Sequence, residues 1–348
     1  MRGLCLFAAG WHNSRMRQPP FLNPGDPIAL VAPSFGCTIE PYATRLEVAI
    51  KRLKRHYRVI EGPNIRRGDG IAASASAEER AREIHDAFAS DAKLILSVGG
   101  GETMNEILPH VDFDAIKKAE PKWFMGFSDN TNLTFVLTTL CDLVTVYGPC
   151  ASSFFEKKWR LSEADAIALL QGKTHFEGYP KWSITRRDPK RPLRSYRLSQ
   201  PKTIVAHGYE EPMEGILLGG CLDCLVNLCG TRFDQAERFA SEHPEGIIWF
   251  LEACDLNALS IRRAYFELRE AGWFKNVKGF LLGRALSGRE EILGVDRFNA
   301  AVDMLGELGV PILLDVDLGH LHPSMPLQCG AKARVALEKG NLIVDYLE

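Results

Sequence analysis

The chain has 348 residues, of which 46% are apolar and 25% charged, a globular balance with room for two domains. Its formal net charge of −2 gives no general attraction for nucleic acid or anionic lipid. No apolar run reaches the ~18 residues of a membrane span. The nine cysteines, an odd number without paired zinc-finger spacing, suit reduced thiols in a cytoplasmic protein better than a disulfide framework.

At the N-terminus an apolar run, Leu4 to Gly10, follows Arg2. Trp11 to Arg17 then turns polar and basic without a small-residue cleavage site, which argues against export. Met16 is an alternative start, because the first clear strand pattern is Ile28 to Ala32. Helical spacing follows over Ala43–Arg55, then a strand over Tyr57–Ile60. Ser76 and Glu79 form a capping-box signal for a helix running through Ile84 and Phe88. Lys93–Val98 reads as a strand entering Gly99-Gly100-Gly101. Trp123–Phe127 is the next strand, then a helix from Asn130 to Leu140 and a strand over Leu143–Tyr147. This alternation predicts a parallel sheet covered on both faces.

Ser162–Leu170 reads as a helix. The pattern then loosens through Pro180, Pro189, Pro192 and Pro201. The basic group Arg186, Arg187, Lys190, Arg191 and Arg194 reads there as a solvated loop. Beyond it come a strand over Gly215–Leu218, a helix from Leu222, a strand over Ile247–Leu251, and a helix over Asn257–Ala271 closed by Gly272. Gly279–Leu282 reads as a strand and Phe298–Leu308 as a helix. Ala331–Leu337 and Leu342–Leu347 read as a terminal hairpin. The chain therefore divides into an extension (1–18), an α/β domain (19–172), a crossover (173–212) and a C-terminal domain (213–348).

Three polar residues follow apolar strands, where open α/β sheets present their sites. Ser128 stands in Gly126-Phe127-Ser128-Asp129, between strand and helix. It reads either as a nucleophile on a sharp turn or as a helix cap. Glu252 ends Ile247–Leu251, an expensive place to bury a charge without a partner such as an imidazole. His320 follows Ile312–Leu318. With His322 it has metal-ligand types but no HExxH and no third ligand. The glycines 99–101 lack the Gly-Lys-Ser/Thr of a phosphate loop, and suit a backbone that donates amides to a reacting carbonyl or simply turns tightly. Cys221 and Cys224 form a CxxC that a buried helix face explains.

In order, the chain carries Gly25-Asp26, Ala32-Pro33-Ser34, Gly99-Gly100, Asn105-Glu106-Ile107-Leu108-Pro109, Asp112-Phe113, Gly126-Phe127-Ser128-Asp129, Tyr147-Gly148-Pro149, Gly215, Gly219-Gly220, Leu251-Glu252, Gly279, Gly283-Arg284 and Gly319-His320. This ordered set resembles the LD-carboxypeptidase family of serine peptidases, which includes muramoyl-tetrapeptide carboxypeptidases and microcin C immunity peptidases. The resemblance implies a Rossmann-like three-layer α/β domain with a parallel sheet, followed by a swivelling, barrel-like mixed α/β domain. It implies a catalytic triad of Ser128, Glu252 and His320, with oxyanion donors at the amides of Asp129 and of Gly100 or Gly101. It also implies a homodimer acting on a small peptide or muropeptide, with no metal or cofactor. Three positions depart from the pattern. Gly100-Gly101-Glu102-Thr103 replaces the Gly-Gly-Tyr-Gly of many murein-directed members. Ala253, Cys254, Asp255 and Leu256 stand where microcin-type members carry basic residues, and Cys221 stands where many relatives have asparagine. The expected reaction is hydrolysis of the L,D-amide bond to a terminal D-alanine. The alternatives are cleavage of an aminoacyl-nucleotide conjugate and non-catalytic ligand binding.

Overall fold

The computed structural model describes residues 16–347, apart from 69, 71 and 185–187. The N-terminal run, Arg186 and Arg187 lie outside the described residues. The chain alternates β1 (Pro27–Val31), α1 (Tyr42–Leu53), β2 (Arg58–Glu61), α2 (Ala77–Ala89), β3 (Leu94–Ser97), α3 (Phe113–Lys118), β4 (Trp123–Gly126), α4 (Thr131–Cys141) and β5 (Thr145–Tyr147). Strands β1, β3 and β4 are apolar almost throughout because helices cover both faces of a parallel sheet. α1 turns Leu46, Ala49, Ile50 and Leu53 inward. Ser76 and Glu79 close the expected capping box on α2. The sheet order is β14-β5-β4-β3-β1-β2, in which β14 is Leu327–Cys329 and runs antiparallel to β5.

After α5 (Ser162–Leu170) come β6 (His175–Glu177), a two-stranded ribbon of β7 (Lys181–Trp182) and β8 (Gln200–Pro201), and β9 (Val205–His207). Next are β10 (Met213–Cys221), α6 (Leu222–Leu228), α7 (Ala236–Glu242), β11 (Ile247–Glu252), α8 (Ala258–Glu270), β12 (Val277–Gly283), α9 (Arg297–Leu305) and β13 (Ile312–Val316). The chain ends in β15 (Lys332–Glu338) and β16 (Asn341–Tyr346). The second sheet runs β6-β16-β15-β10-β11-β12-β13-β9. It is parallel from β10 to β13 and antiparallel outside them.

The crossover is thus more ordered than the sequence pattern predicts. β6 and β9 are both edge strands of the second sheet, three residues each. Such short strands carry no readable period, and β9 is exposed throughout; their pairing is set by β16 and β13. Conversely, β14 comes from the C-terminal half but completes the first sheet. Helix α4 is buried on nearly every side, because it packs against β5 and β10 and so lies between the two sheets. Its N-terminus, where Ser128 sits, therefore opens where the two sheets meet.

Candidate active site

The turn from β4 to α4 places Ser128 at φ +65°, in the left-handed region. A non-glycine residue held there is strained, and such strain persists only where neighbours over-determine it. The neighbours are identifiable. Gly126 leaves room for Asn130, whose Cγ would lie 2.4 Å from a Cβ at position 126. The Asn130 amide donates to the carbonyls of Gly99 and Phe127, at 2.9 Å each. The Asp129 carboxylate accepts from Ser34 Oγ, from the Met104 amide at 2.9 Å and from Asn132 at 2.9 Å. Burial pushes the Asp129 carboxyl up, against the effect of these donors. Asp129 therefore braces the turn with its side chain, a role its position alone does not reveal.

His320 and Glu252 come to the same place from the second sheet. Glu252 ends β11 and is fully buried, while His320 lies in the loop after β13. His320 Nε2 lies 2.9 Å from Ser128 Oγ, and Nδ1 lies 2.8 Å from Glu252 Oε2. Burial pushes the Glu252 carboxyl up, but the neighbouring His320 and the hydrogen bonds from His320 and Tyr147 outweigh it and hold it below its ordinary value. An ionised Glu252 keeps the proton on Nδ1 and leaves the Nε2 lone pair facing the serine hydroxyl. Gly319, at φ +110°, permits this approach: a Cβ there would lie 2.9 Å from Glu252 Oε2. His322 lines the same cavity and stacks on Tyr196 at 4.6 Å.

The glycine turn faces Ser128 directly. A Cβ on Gly100 would lie 3.1 Å from the Ser128 Cβ, and one on Gly101 only 2.0 Å from Ser34 Oγ. Only glycine permits this close approach, and Gly101 also sits at φ +144°. Gly100, Gly101, Ser128 and His320 line a cavity of about 790 Å³, within the range for small-ligand sites. Tyr196 and Leu198 from the crossover close one side. Arg45 holds that segment by donating to the carbonyls of Pro192 at 2.5 Å and Arg194 at 3.2 Å.

Several contributors were not legible from spacing. Tyr147 was visible as part of a motif, but its hydroxyl contacts needed the fold. Asp223 accepts from the amides of Cys254, Asp255 and Leu256 and so fixes the turn after Glu252. Cys221, at the end of β10, donates to the Asp223 carboxylate at 3.5 Å, and Cys224 to the Ser128 carbonyl at 3.8 Å. The CxxC thus backs the site rather than filling an inert helix face. The Cys221 thiol is pushed well up by its hydrogen bond with Cys224 and by burial, so it remains a protonated donor. Glu102 also lines the cavity. Burial and the charges of Asp255, Asp129 and Asp223 push its carboxyl up.

Among the described residues, no helix is long and apolar enough to cross a membrane, and none of the eight cysteines is in a disulfide. Residues 28–148 match the LD-carboxypeptidase N-terminal domain and residues 214–335 the LD-carboxypeptidase C-terminal domain. The chain is 26% identical over 334 residues to the Bacillus subtilis protein named "Probable murein peptide carboxypeptidase", covering 94% of each. It is 25% identical over 285 residues to the microcin C7 self-immunity protein MccF of Escherichia coli, covering 78% of this chain and 79% of that one. The crystal structure of an MccF-like protein from Bacillus anthracis superposes with a TM-score of 0.80 at 25% identity, covering 95% of this chain and 99% of that one.

Proposed function

Because the chain belongs to the LD-carboxypeptidase family of peptidases, we propose that it hydrolyses the amide bond between an L-centre and a terminal D-alanine in muropeptides, using Ser128, His320 and Glu252 as its triad. The observation that carries this reading is the unbroken line from Ser128 Oγ through His320 to Glu252, at 2.9 and 2.8 Å. Ser128 Oγ attacks the carbonyl carbon while its proton passes to Nε2 of His320. Glu252 holds the imidazole tautomer and stabilises the imidazolium. The oxyanion forms beside the amides of Asp129 and of Gly100 or Gly101. His320 then protonates the amine as the C–N bond breaks. Water, deprotonated by the same imidazole, releases the acyl group from Ser128.

The murein reading is supported by one of the chain's relatives, the murein peptide carboxypeptidase. The relationship to MccF supports a second reading, cleavage of an aminoacyl-nucleotide conjugate. Two carboxylates weigh against phosphate-bearing substrates. Glu102 lines the cavity, and Asp255 is close enough to raise its carboxyl. The division at residues 19–172 and 213–348, a homodimeric state and a cytoplasmic location belong to the same proposal, and cysteines outside any disulfide among the described residues suit the last of these.

Incubation with a murein tetrapeptide should release D-alanine, and incubation with an aminoacyl-sulfamoyl nucleoside should leave it largely intact. The reverse pattern would favour the second reading. No turnover of either by the folded protein would favour a ligand-binding role. Light scattering after size-exclusion chromatography tests the dimer.

A further inference from the structure

We propose that Tyr147 is a positioning residue for the triad, its hydroxyl tying the acid on the second sheet to the nucleophile turn on the first. The inference rests on the triad reading above. Tyr147 ends β5, and Glu252, 105 residues later, ends β11. The Ser128 amide lies 3.1 Å from the Tyr147 hydroxyl oxygen, and that oxygen lies 2.5 Å from Glu252 Oε1. The direction of both bonds follows from chemistry. A backbone amide only donates, so the phenol oxygen accepts from Ser128. Its own proton is then free for the carboxylate.

Three consequences follow. First, both oxygens of Glu252 receive a donor, Oε1 from Tyr147 and Oε2 from His320 Nδ1. Second, the amide of a strained, part-buried residue is satisfied by an oxygen that is itself buried, which avoids the cost of an orphaned donor. That amide is thereby withdrawn from the oxyanion, leaving the task to Asp129, Gly100 and Gly101. Third, the nucleophile's backbone and the acid's carboxylate are registered to a single atom across the junction of the two sheets. Only 1% of Tyr147 is exposed, so water does not compete for these bonds. Its ring packs against Phe127 at 5.2 Å and Phe250 at 5.9 Å, and Phe127 in turn lies 4.5 Å from the His320 ring. Burial and the Glu252 charge push the phenol well above its ordinary range, so it stays a donor at working pH.

Tyr147→Phe keeps the ring and removes only the hydroxyl. We expect kcat on the tetrapeptide to fall about 10- to 100-fold, the scale of one hydrogen bond to a charged group, with KM near the wild-type value. We also expect the acid limb of the kcat/KM profile to move to higher pH. Without the phenol, Glu252 keeps more of its charge and holds the His320 proton more tightly. Replacing Tyr147 by 3-fluorotyrosine keeps the fold and makes the phenol a stronger donor, so the acid limb should move to lower pH. A wild-type acid limb in both proteins, or a Tyr147→Phe effect confined to melting temperature, overturns the inference. Ser128→Ala serves as the control. Full turnover in that variant sinks the triad reading itself, whereas an inactive Ser128→Ala beside unaltered Tyr147 variants sinks only the positioning role.

Discussion

Ser128 Oγ and His320 Nε2 stand 2.9 Å apart although 192 residues separate them in the chain. The serine backbone is held at φ +65° at this contact. This makes a prediction about stability that is separate from activity. Ser128→Ala and Ser128→Gly both remove the hydroxyl and both should abolish turnover. Glycine adopts the left-handed region freely, whereas alanine pays about 1–2 kcal/mol there. Part of this difference is offset by the extra freedom of glycine in the unfolded chain. Ser128→Gly should therefore be the more stable of the two, by about 1 kcal/mol in urea denaturation. Equal midpoints would show that the turn is not strained.

Glu252→Gln tests the acid. An amide keeps the shape but allows the wrong imidazole tautomer, and kcat should fall about 10⁴-fold, as when the acid of a Ser-His-Asp triad is neutralised. The carboxyl lies below its ordinary value of 4.5 in the folded protein. A lowered acid contributes stability above its unfolded value and loses it as pH falls through the folded one. The stability advantage of wild type over Glu252→Gln should therefore be present at neutral pH and shrink below about pH 4.5. An advantage that stays constant down to pH 3 would contradict the assignment.

Gly100→Ala probes the close approach of the glycine turn. The new methyl would meet the Ser128 Cβ at 3.1 Å, tight enough to push the nucleophile by a few tenths of an ångström without unfolding the chain. A displacement well below 1 Å still costs rate, and a loss in kcat of about tenfold is expected. Thermal unfolding and single-turnover kinetics together check this. Wild-type kcat in a normally folded variant would remove Gly100 from the oxyanion proposal.

Arg45 tests the role of the crossover segment. Its guanidinium bridges the carbonyls of Pro192 and Arg194 and lies over the rings of Phe155 at 4.2 Å and Tyr196 at 5.7 Å. Lysine lacks the planar fork needed to hold both carbonyls at once. Arg45→Lys should raise KM by about tenfold, the value of one such bond, with a smaller change in kcat. It should also expose residues 188–198 to limited proteolysis. Unchanged KM and unchanged cleavage would show that the segment is held by its other contacts.

Much of the fold was legible because its signals are local. The buried strands of the first sheet are continuous apolar runs, and α2 announces itself through Ser76 and Glu79. Other segments carry weak local signals. β6 and β9 are three residues each and exist only as edges of a sheet formed elsewhere. β14 belongs by sequence to one half and by pairing to the other.

The candidate site divides in the same way. Strand ends and sharp turns are local properties of a chain, so Ser128, Glu252 and His320 stand out as candidates in the sequence, while their grouping as a triad is what the family resemblance implies. The roles of Tyr147, Asp223 and Arg45 were decided only by tertiary structure. Each acts across a gap in sequence, onto backbone groups or a buried carboxylate whose partner no local pattern encodes. Which strand ends face one another depends on the register of two sheets and the burial of α4 between them. The sequence therefore determined which chemical groups were present at strand ends. The packing decided that they meet, and that Tyr147 donates to one and accepts from another.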